Sequence, residues 1–141
     1  LKPFNIYGEG QSKHLLFSTI LTQMFNGRIE IKDPVPKRDY VYISDLIDAM
    51  IKSGDYNTEP FDIFNVGSGK SYSVKEIVDK LIAINKKRVS VTYLNERRKN
   101  EIMNTIADIK HINDRLGWKP KISIDEGLKK TFEWYKNELE K

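Results

Sequence analysis

Cysteine is absent from the 141 residues, which rules out a disulfide framework and a thiolate zinc site and makes the cytosol the simplest compartment. Histidine is scarce. His14 and His111 are far apart in sequence, each falls in a predicted helix, and neither has a carboxylate pair at ligand spacing, so no metal site is expected. No G-x-S-x-G elbow occurs, which leaves a triad hydrolase without its nucleophile turn. No apolar run approaches the roughly 20 residues needed to cross a bilayer, and the first ten residues lack the long apolar segment of a signal peptide. Repeats and low-complexity linkers are also missing, so one domain spanning residues 1–141 is expected.

What is present is an ordinary globular balance of 39% hydrophobic and 31% charged residues. The net charge of +4 comes from short basic clusters at Lys37-Arg38, Lys86-Lys87-Arg88, Arg97-Arg98-Lys99 and Lys119 with Lys121. No nucleic-acid motif accompanies them, so a solvated surface is expected and nucleic acid is not.

Helical and strand periodicities interleave along the chain. Residues 3–10 read as a short extended piece ending in the loop Gly8-Glu9-Gly10. Leu15, Leu16, Ile20, Leu21, Met24 and Phe25 recur at helical spacing over residues 14–25, and Asn26-Gly27 stops that helix. Ile29 and Ile31 suggest a brief strand, after which Pro34 and Pro36 force a stiff loop. Following the apolar strand at residues 40–43, Ser44 or Asp45 is expected to cap a helix carrying Leu46, Ile47, Ala49, Met50 and Ile51. A polar turn over residues 54–60 leads to a strand built on Phe61, Ile63, Phe64 and Val66. Val89, Val91 and Tyr93 predict another strand, and Asp108 a cap for a helix that Gly117 ends. Ser123 with Glu126 forms a capping box for the last helix. The class is α/β, with an α+β character.

One stretch imitates a phosphate loop. Gly67-Ser68-Gly69-Lys70-Ser71 matches the end of G-x-x-x-x-G-K-[ST], but the position of the first glycine holds Phe64, a residue suited to a buried strand. Ser73 and Glu76 then form a capping box for a helix with Ile77, Val78, Leu81 and Ile82. The reading is strand, glycine turn, helix.

Among charged residues, Asp39, Asp45 and Asp48 lie close in sequence, but a capping role accounts for Asp45 without catalysis. Arg38 and Arg98 each adjoin a predicted strand, where a guanidinium fork could meet phosphate oxygens.

Five motifs then fall in a familiar order: Asn5-Ile6-Tyr7-Gly8-Glu9-Gly10-Gln11, Arg38-Asp39-Tyr40-Val41-Tyr42-Ile43-Ser44-Asp45, Asn65-Val66-Gly67-Ser68-Gly69, Leu116-Gly117-Trp118-Lys119-Pro120 and Glu126-Gly127-Leu128. Their order and spacing resemble those of nucleotide-sugar epimerases and dehydratases, which are extended short-chain dehydrogenase/reductase enzymes. The resemblance implies the carboxy-terminal, sugar-binding part alone. No G-x-x-G-x-x-G follows a first strand, and no tyrosine has a lysine four positions later. The hydride chemistry of that family needs the tyrosine, its lysine and a nicotinamide, so the chain is expected to be a fragment with no catalytic residue, inactive by itself. NAD or NADP is expected in the parent and no cofactor in the fragment.

Residue by residue, the resemblance places Asn5 against the sugar or diphosphate, and the backbone of Pro3 and Phe4 near the nicotinamide. It places Leu15 and Leu16 at the nucleotide base, Arg38 on the diphosphate, and Arg98 with Glu101 as a pair holding diphosphate and ribose. The implied partners are a nucleotide sugar (UDP-, dTDP-, GDP- or CDP-linked) and the chain's own Rossmann domain, with self-association through apolar surface that the parent covers; no membrane partner is expected. Two departures stand out: the family's G-D-G turn is replaced by Asp33-Pro34-Val35-Pro36-Lys37, and Arg-Pro-Gly-Glu by Arg98-Lys99-Asn100-Glu101. The residues leave open a non-catalytic nucleotide-sugar-binding or interaction module.

Overall fold

The computed structural model describes residues 1–57 and 61–139. The chain opens with two short strands, β1 (Lys2–Pro3) and β2 (Asn5–Tyr7). Helix α1 (Leu16–Phe25) and strand β3 (Arg28–Ile31) follow, then β4 (Lys37–Tyr42) and α2 (Ile43–Gly54). Next come β5 (Asn65–Val66), β6 (Ser71–Ser73), α3 (Val74–Asn85) and β7 (Ser90–Tyr93). Helices α4 (Lys110–Leu116) and α5 (Ile124–Leu139) complete the fold. Among the described residues no helix is long and apolar enough to cross a membrane.

The described strands form three small sheets. β1 pairs with β5 and β3 with β7, both parallel, while β4 lies between parallel β2 and antiparallel β6. Alternation along β4 divides the interior. Tyr40 and Tyr42 enter a core with Tyr7, Phe17, Ile20, Leu21, Ile77, Leu81, Leu128 and Phe132. Val41 enters a second cluster with Leu46, Ala49, Phe64, Val66, Ile112 and Trp118. Because side chains of a strand point alternately to opposite faces, one segment serves both clusters.

The expected elements form, with five corrections. α1 begins at Leu16, so His14 lies in the preceding turn. Neither Ser44 nor Asp45 caps α2: Tyr42 is its N-cap, without a side-chain bond. Asp45 is buried instead, accepting the N–H groups of Lys121 at 3.1 Å and Ile122 at 3.0 Å and so fixing the approach to α5. The indole of Trp118 donates to the Asp45 carbonyl at 3.1 Å. The strand expected over residues 61–66 shrinks to β5, and Phe61 is 79% exposed, because only Phe64 and Val66 reach the second cluster. Between the glycine turn and α3 an unexpected strand, β6, pairs with β4. The end of the polar turn expected over residues 54–60 lies outside the described residues.

The start of α3 conforms to its reading: Ser73 Oγ accepts from the Glu76 N–H at 3.1 Å, and Glu76 accepts from the Ser73 N–H at 2.7 Å. At α4 the cap residue is Ile109, while Asp108 accepts the Lys110 N–H at 2.9 Å. Gly117 ends α4 with φ of 59°, a left-handed conformation that glycine adopts without strain.

Candidate functional site

β4 is also the spine of a cleft of about 820 Å³. Arg38 and Tyr40 line it, while Asp39 between them points the other way and is completely buried. Asp39 resolves the imitation phosphate loop. Its Oδ1 accepts from the Ser68 N–H at 2.6 Å and the Ser68 hydroxyl at 2.7 Å, and its Oδ2 from the Gly69 N–H at 2.9 Å and the Ala107 N–H at 3.0 Å. The glycine turn does gather N–H groups around an anion, as such nests do, but the anion belongs to the chain itself. A Cβ at Gly67 would stand 2.4 Å from Ala107 Cβ and 2.8 Å from Asp39 Oδ2, so glycine is required for close approach.

The same carboxylate helps to build the cleft wall. Residues 103–107 run beside β4: the Lys37 N–H donates to the Met103 carbonyl at 2.8 Å, the Thr105 N–H to the Lys37 carbonyl at 3.2 Å, and Asp39 takes the Ala107 N–H. Just upstream, Arg38 donates to the Ile102 carbonyl at 2.6 Å and forms an ion pair with Glu101. The Arg38 and Glu101 side chains are only 24% and 16% exposed, a setting in which a charge-assisted bond is screened less than at the surface. Asn5, opposite Tyr40 in the β2–β4 register, donates from Nδ2 to the Asp39 carbonyl at 3.1 Å.

A second anchor holds the other end of this segment. The Glu96 N–H donates to the Lys32 carbonyl at 2.8 Å, and Arg97 pairs with Asp33 at 3.0 Å. The Val35 N–H, with Arg97 beside it, holds the Asp33 carboxyl below the usual carboxylate range. Arg98 therefore lies between two fixed points and lines the cleft, with no ion pair of its own among the described residues. The turn at Asn100, φ 60°, then carries the chain to Glu101.

The proline loop is pinned as well as stiff. The Pro34 carbonyl accepts the Lys75 N–H at 3.0 Å at the start of α3, and Pro36 lines the cleft. Across from it stands the N-terminus of α1, where the cap residue Leu15 makes no side-chain cap hydrogen bond and no acidic residue occupies the first turn. Leu15, Leu16 and Phe17 line the cleft there. Burial pushes the Tyr40 hydroxyl up to about 12, with Arg38 pulling the other way, so this phenol remains a neutral donor at physiological pH.

Six of the residues singled out from the sequence thus meet on one cleft: Asn5, Leu15, Leu16, Arg38, Arg98 and Glu101. One pairing differs from expectation. Glu101 bonds to Arg38, and Arg98 gives Glu101 only its carbonyl, which accepts the Glu101 N–H at 3.3 Å. Pro3 and Phe4 do not line the cleft. The Phe4 N–H donates to the Val66 carbonyl at 2.9 Å, and Pro3 borders a separate depression of about 460 Å³ with Leu1, Leu46 and Met50. Sequence reading missed the role of Asp39; the signal available was an acid at the head of the apolar run Tyr40-Val41-Tyr42 with a Gly67-Ser68-Gly69 turn downstream.

The family model for GDP-mannose 4,6 dehydratase matches residues 2–131. The dTDP-4-dehydro-6-deoxyglucose reductase of Escherichia coli is 35% identical over 136 residues, covering 92% of this chain and 42% of that enzyme. Among solved structures, MoeE5 in complex with UDP-glucuronic acid and NAD superposes with a TM-score of 0.88 at 25% identity, over 96% of this chain and 46% of that one. The UDP-glucose 4-epimerase of Thermotoga maritima with UDP-glucose gives 0.84 at 28% identity, over 97% and 45%. The chain spans less than half the length of the curated relatives it matches. What it matches is the carboxy-terminal part of extended short-chain dehydrogenase/reductase structures, and the chain belongs to the nucleotide-sugar epimerase and dehydratase family.

Proposed function

We propose that this chain is the nucleotide-sugar-binding part of an NAD(P)-dependent enzyme that epimerises, dehydrates or reduces the sugar of a nucleoside-diphosphate sugar. The observation that carries the reading is the convergence of Arg38 and Arg98, 60 residues apart in sequence, on one cleft with Asn5 and the uncapped end of α1. A diphosphate calls for guanidinium forks. A helix N-terminus with open N–H groups suits the carbonyl or phosphate oxygens of a nucleotide. Glu101, held by Arg38, offers its remaining oxygen capacity to a ribose hydroxyl.

The residues present do not form a dinucleotide site. The nest at the glycine turn is filled by Asp39, and no Tyr-x-x-x-Lys occurs. NAD(P) and the reacting acid/base are therefore assigned to the parent's Rossmann domain, with only the Pro3 and Phe4 backbone nearby, and the chain alone is inactive. The outward face of α2, where Met50 and Ile51 are 57% and 66% exposed, together with Leu1, is apolar surface for that domain to cover. The cytoplasm suits a cysteine-free chain.

Titration of the intact protein with UDP-glucose tests this. Arg38→Ala is expected to weaken binding by about 2–4 kcal/mol, as for removal of one partner of a buried charge pair, whereas Lys70→Ala leaves it unchanged. Equal losses from the two changes refute the assignment of the cleft.

A further inference from the structure

Near the C-terminal end of α1, the side chain of Gln23 crosses to β3, where its Oε1 accepts the Glu30 N–H at 2.7 Å. A backbone N–H can only donate, so the carboxamide oxygen must be the atom turned towards β3, and the NH2 group is turned away from it. Gln23 lines the cleft together with Glu30, Ile31 and Lys32. The other edge of β3 is occupied by β7: the carbonyls of Gly27 and Ile31 accept the N–H groups of Ser90 at 3.1 Å and Leu94 at 2.9 Å. Successive residues of a strand present their backbone groups to opposite edges. The N–H and C=O of Glu30 therefore both face away from β7, on the side of Gln23. One rim of the cleft thus sets a carboxamide donor beside a backbone carbonyl acceptor.

Nothing within the described residues uses that donor. The pairing is complementary to the edge of a nucleobase, where a ring N–H adjoins a ring carbonyl. Resting on the nucleotide-sugar reading of the cleft, we infer that Gln23 is a specificity-determining residue whose NH2 donates to a ring carbonyl of the ligand's base, with the Glu30 carbonyl receiving the adjacent ring N–H. Uracil presents this pattern at its imide edge. Cytosine does not, because its ring N3 is an acceptor and its position 4 carries an amino donor. Tethered through its ribose to a diphosphate held by the arginines, the base is not free to slide into another register.

Gln23→Glu separates this role from a structural one. A carboxylate oxygen still accepts the Glu30 N–H, so the link between α1 and β3 survives. The second oxygen replaces the NH2 group, turning donor into acceptor towards the ligand. Calorimetric titration of the intact protein with UDP, CDP and inorganic pyrophosphate reads the outcome. Wild type is expected to prefer UDP, and Q23E to shift the UDP-to-CDP affinity ratio towards CDP by about tenfold or more, the scale of one base-edge contact, with pyrophosphate affinity unchanged. Gln23→Met, of similar length and without either polar atom, is the second variant should Q23E fail to fold, and it is expected to erase the preference. An unmoved ratio, or equal losses of all three ligands, overturns the role of Gln23 while leaving the nucleotide-sugar reading intact. Failure of wild type to bind either UDP or pyrophosphate overturns that reading, and the role of Gln23 with it.

Discussion

Replacing Asp39 by asparagine is the sharpest probe of how this fold makes its cleft. Each carboxylate oxygen serves two donors, Oδ1 the N–H and hydroxyl of Ser68 and Oδ2 the N–H groups of Gly69 and Ala107. An asparagine must turn its NH2 towards one of these pairs. Whichever way it rotates, donors meet donors, and at least one backbone N–H in a fully buried site loses its acceptor along with the charge that strengthened every bond. Leaving a buried donor unsatisfied costs about 1–3 kcal/mol, and bonds to charged groups are worth about 1.5–3 kcal/mol each. Because the four bonds are not additive, the net loss expected is about 3–5 kcal/mol. For a protein stable by about 5–15 kcal/mol that is a large fraction, equivalent to a lowering of Tm by about 10 °C or more. Trp118, fully buried in the cluster that also holds Val41 and Val66, reports on this region by fluorescence during thermal unfolding of the intact protein. A variant whose transition lies within about 1 kcal/mol of wild type would show that the turn holds itself without Asp39, and the account of the imitation phosphate loop would fall.

Two further changes test the packing and the caps. A Cβ at Gly127 would come within 2.1 Å of the Tyr7 hydroxyl and 2.8 Å of Tyr7 Cζ. Gly127→Ala is therefore expected to destabilise by about 1–3 kcal/mol through overpacking, and adding Tyr7→Phe, which removes the nearer atom, should recover part of the loss. Equal unfolding midpoints for wild type and G127A would refute the clash. At the start of α3, the Ser73 N–H and hydroxyl hold the Glu76 carboxyl below its ordinary value. A lowered folded-state pKa adds stability that is present above the unfolded value and is lost as pH falls through the folded one. Glu76→Gln should thus be less stable than wild type at neutral pH, and the gap should close in acid. A gap constant from neutral pH to below the glutamate range would refute that role.

Much of the fold was legible because local rules and tertiary packing agreed. The Ser73–Glu76 capping box, the glycine after α4 and the helical stripes of α1, α3 and α5 all formed where their periodicity put them. The misreadings share a cause. Asp45 has the residue type of a cap, but its carboxylate is drawn inward by the N–H groups of Lys121 and Ile122, a contact across more than seventy residues that no local rule registers. Phe61 and Ile63 have the composition of a strand, yet no neighbouring strand pairs with them among the described residues. β6 is three residues of Ser-Tyr-Ser with no apolar alternation, and it exists because β4 offers it a partner. For the cleft, the arginine positions could be assigned only through likeness to a family. Their convergence depends on how residues 94–107 wrap from the end of β3 to the flank of β4.

That wrapping joins the scaffold to the site. Arg38 and Asp39 are consecutive, so strand alternation sends one side chain to the cleft and the other to the glycine turn, and neither can move without the other. Asp39 fixes the downstream end of the wrapping segment at Ala107, Asp33 fixes its upstream end through Arg97, and Arg38 grips it between them at Glu101 and Ile102. Arg98 stands inside this frame, its approach to Arg38 set by backbone anchors and not by attraction, since two guanidinium groups repel. Bringing like charges to one place costs energy, which the diphosphate proposed for this cleft would relieve. Part of the repulsion is offset by Glu101, whose carboxylate pairs with Arg38. That pairing leaves Arg98, which has no ion pair of its own among the described residues, as the cation with the least to give up to the anion proposed for this cleft.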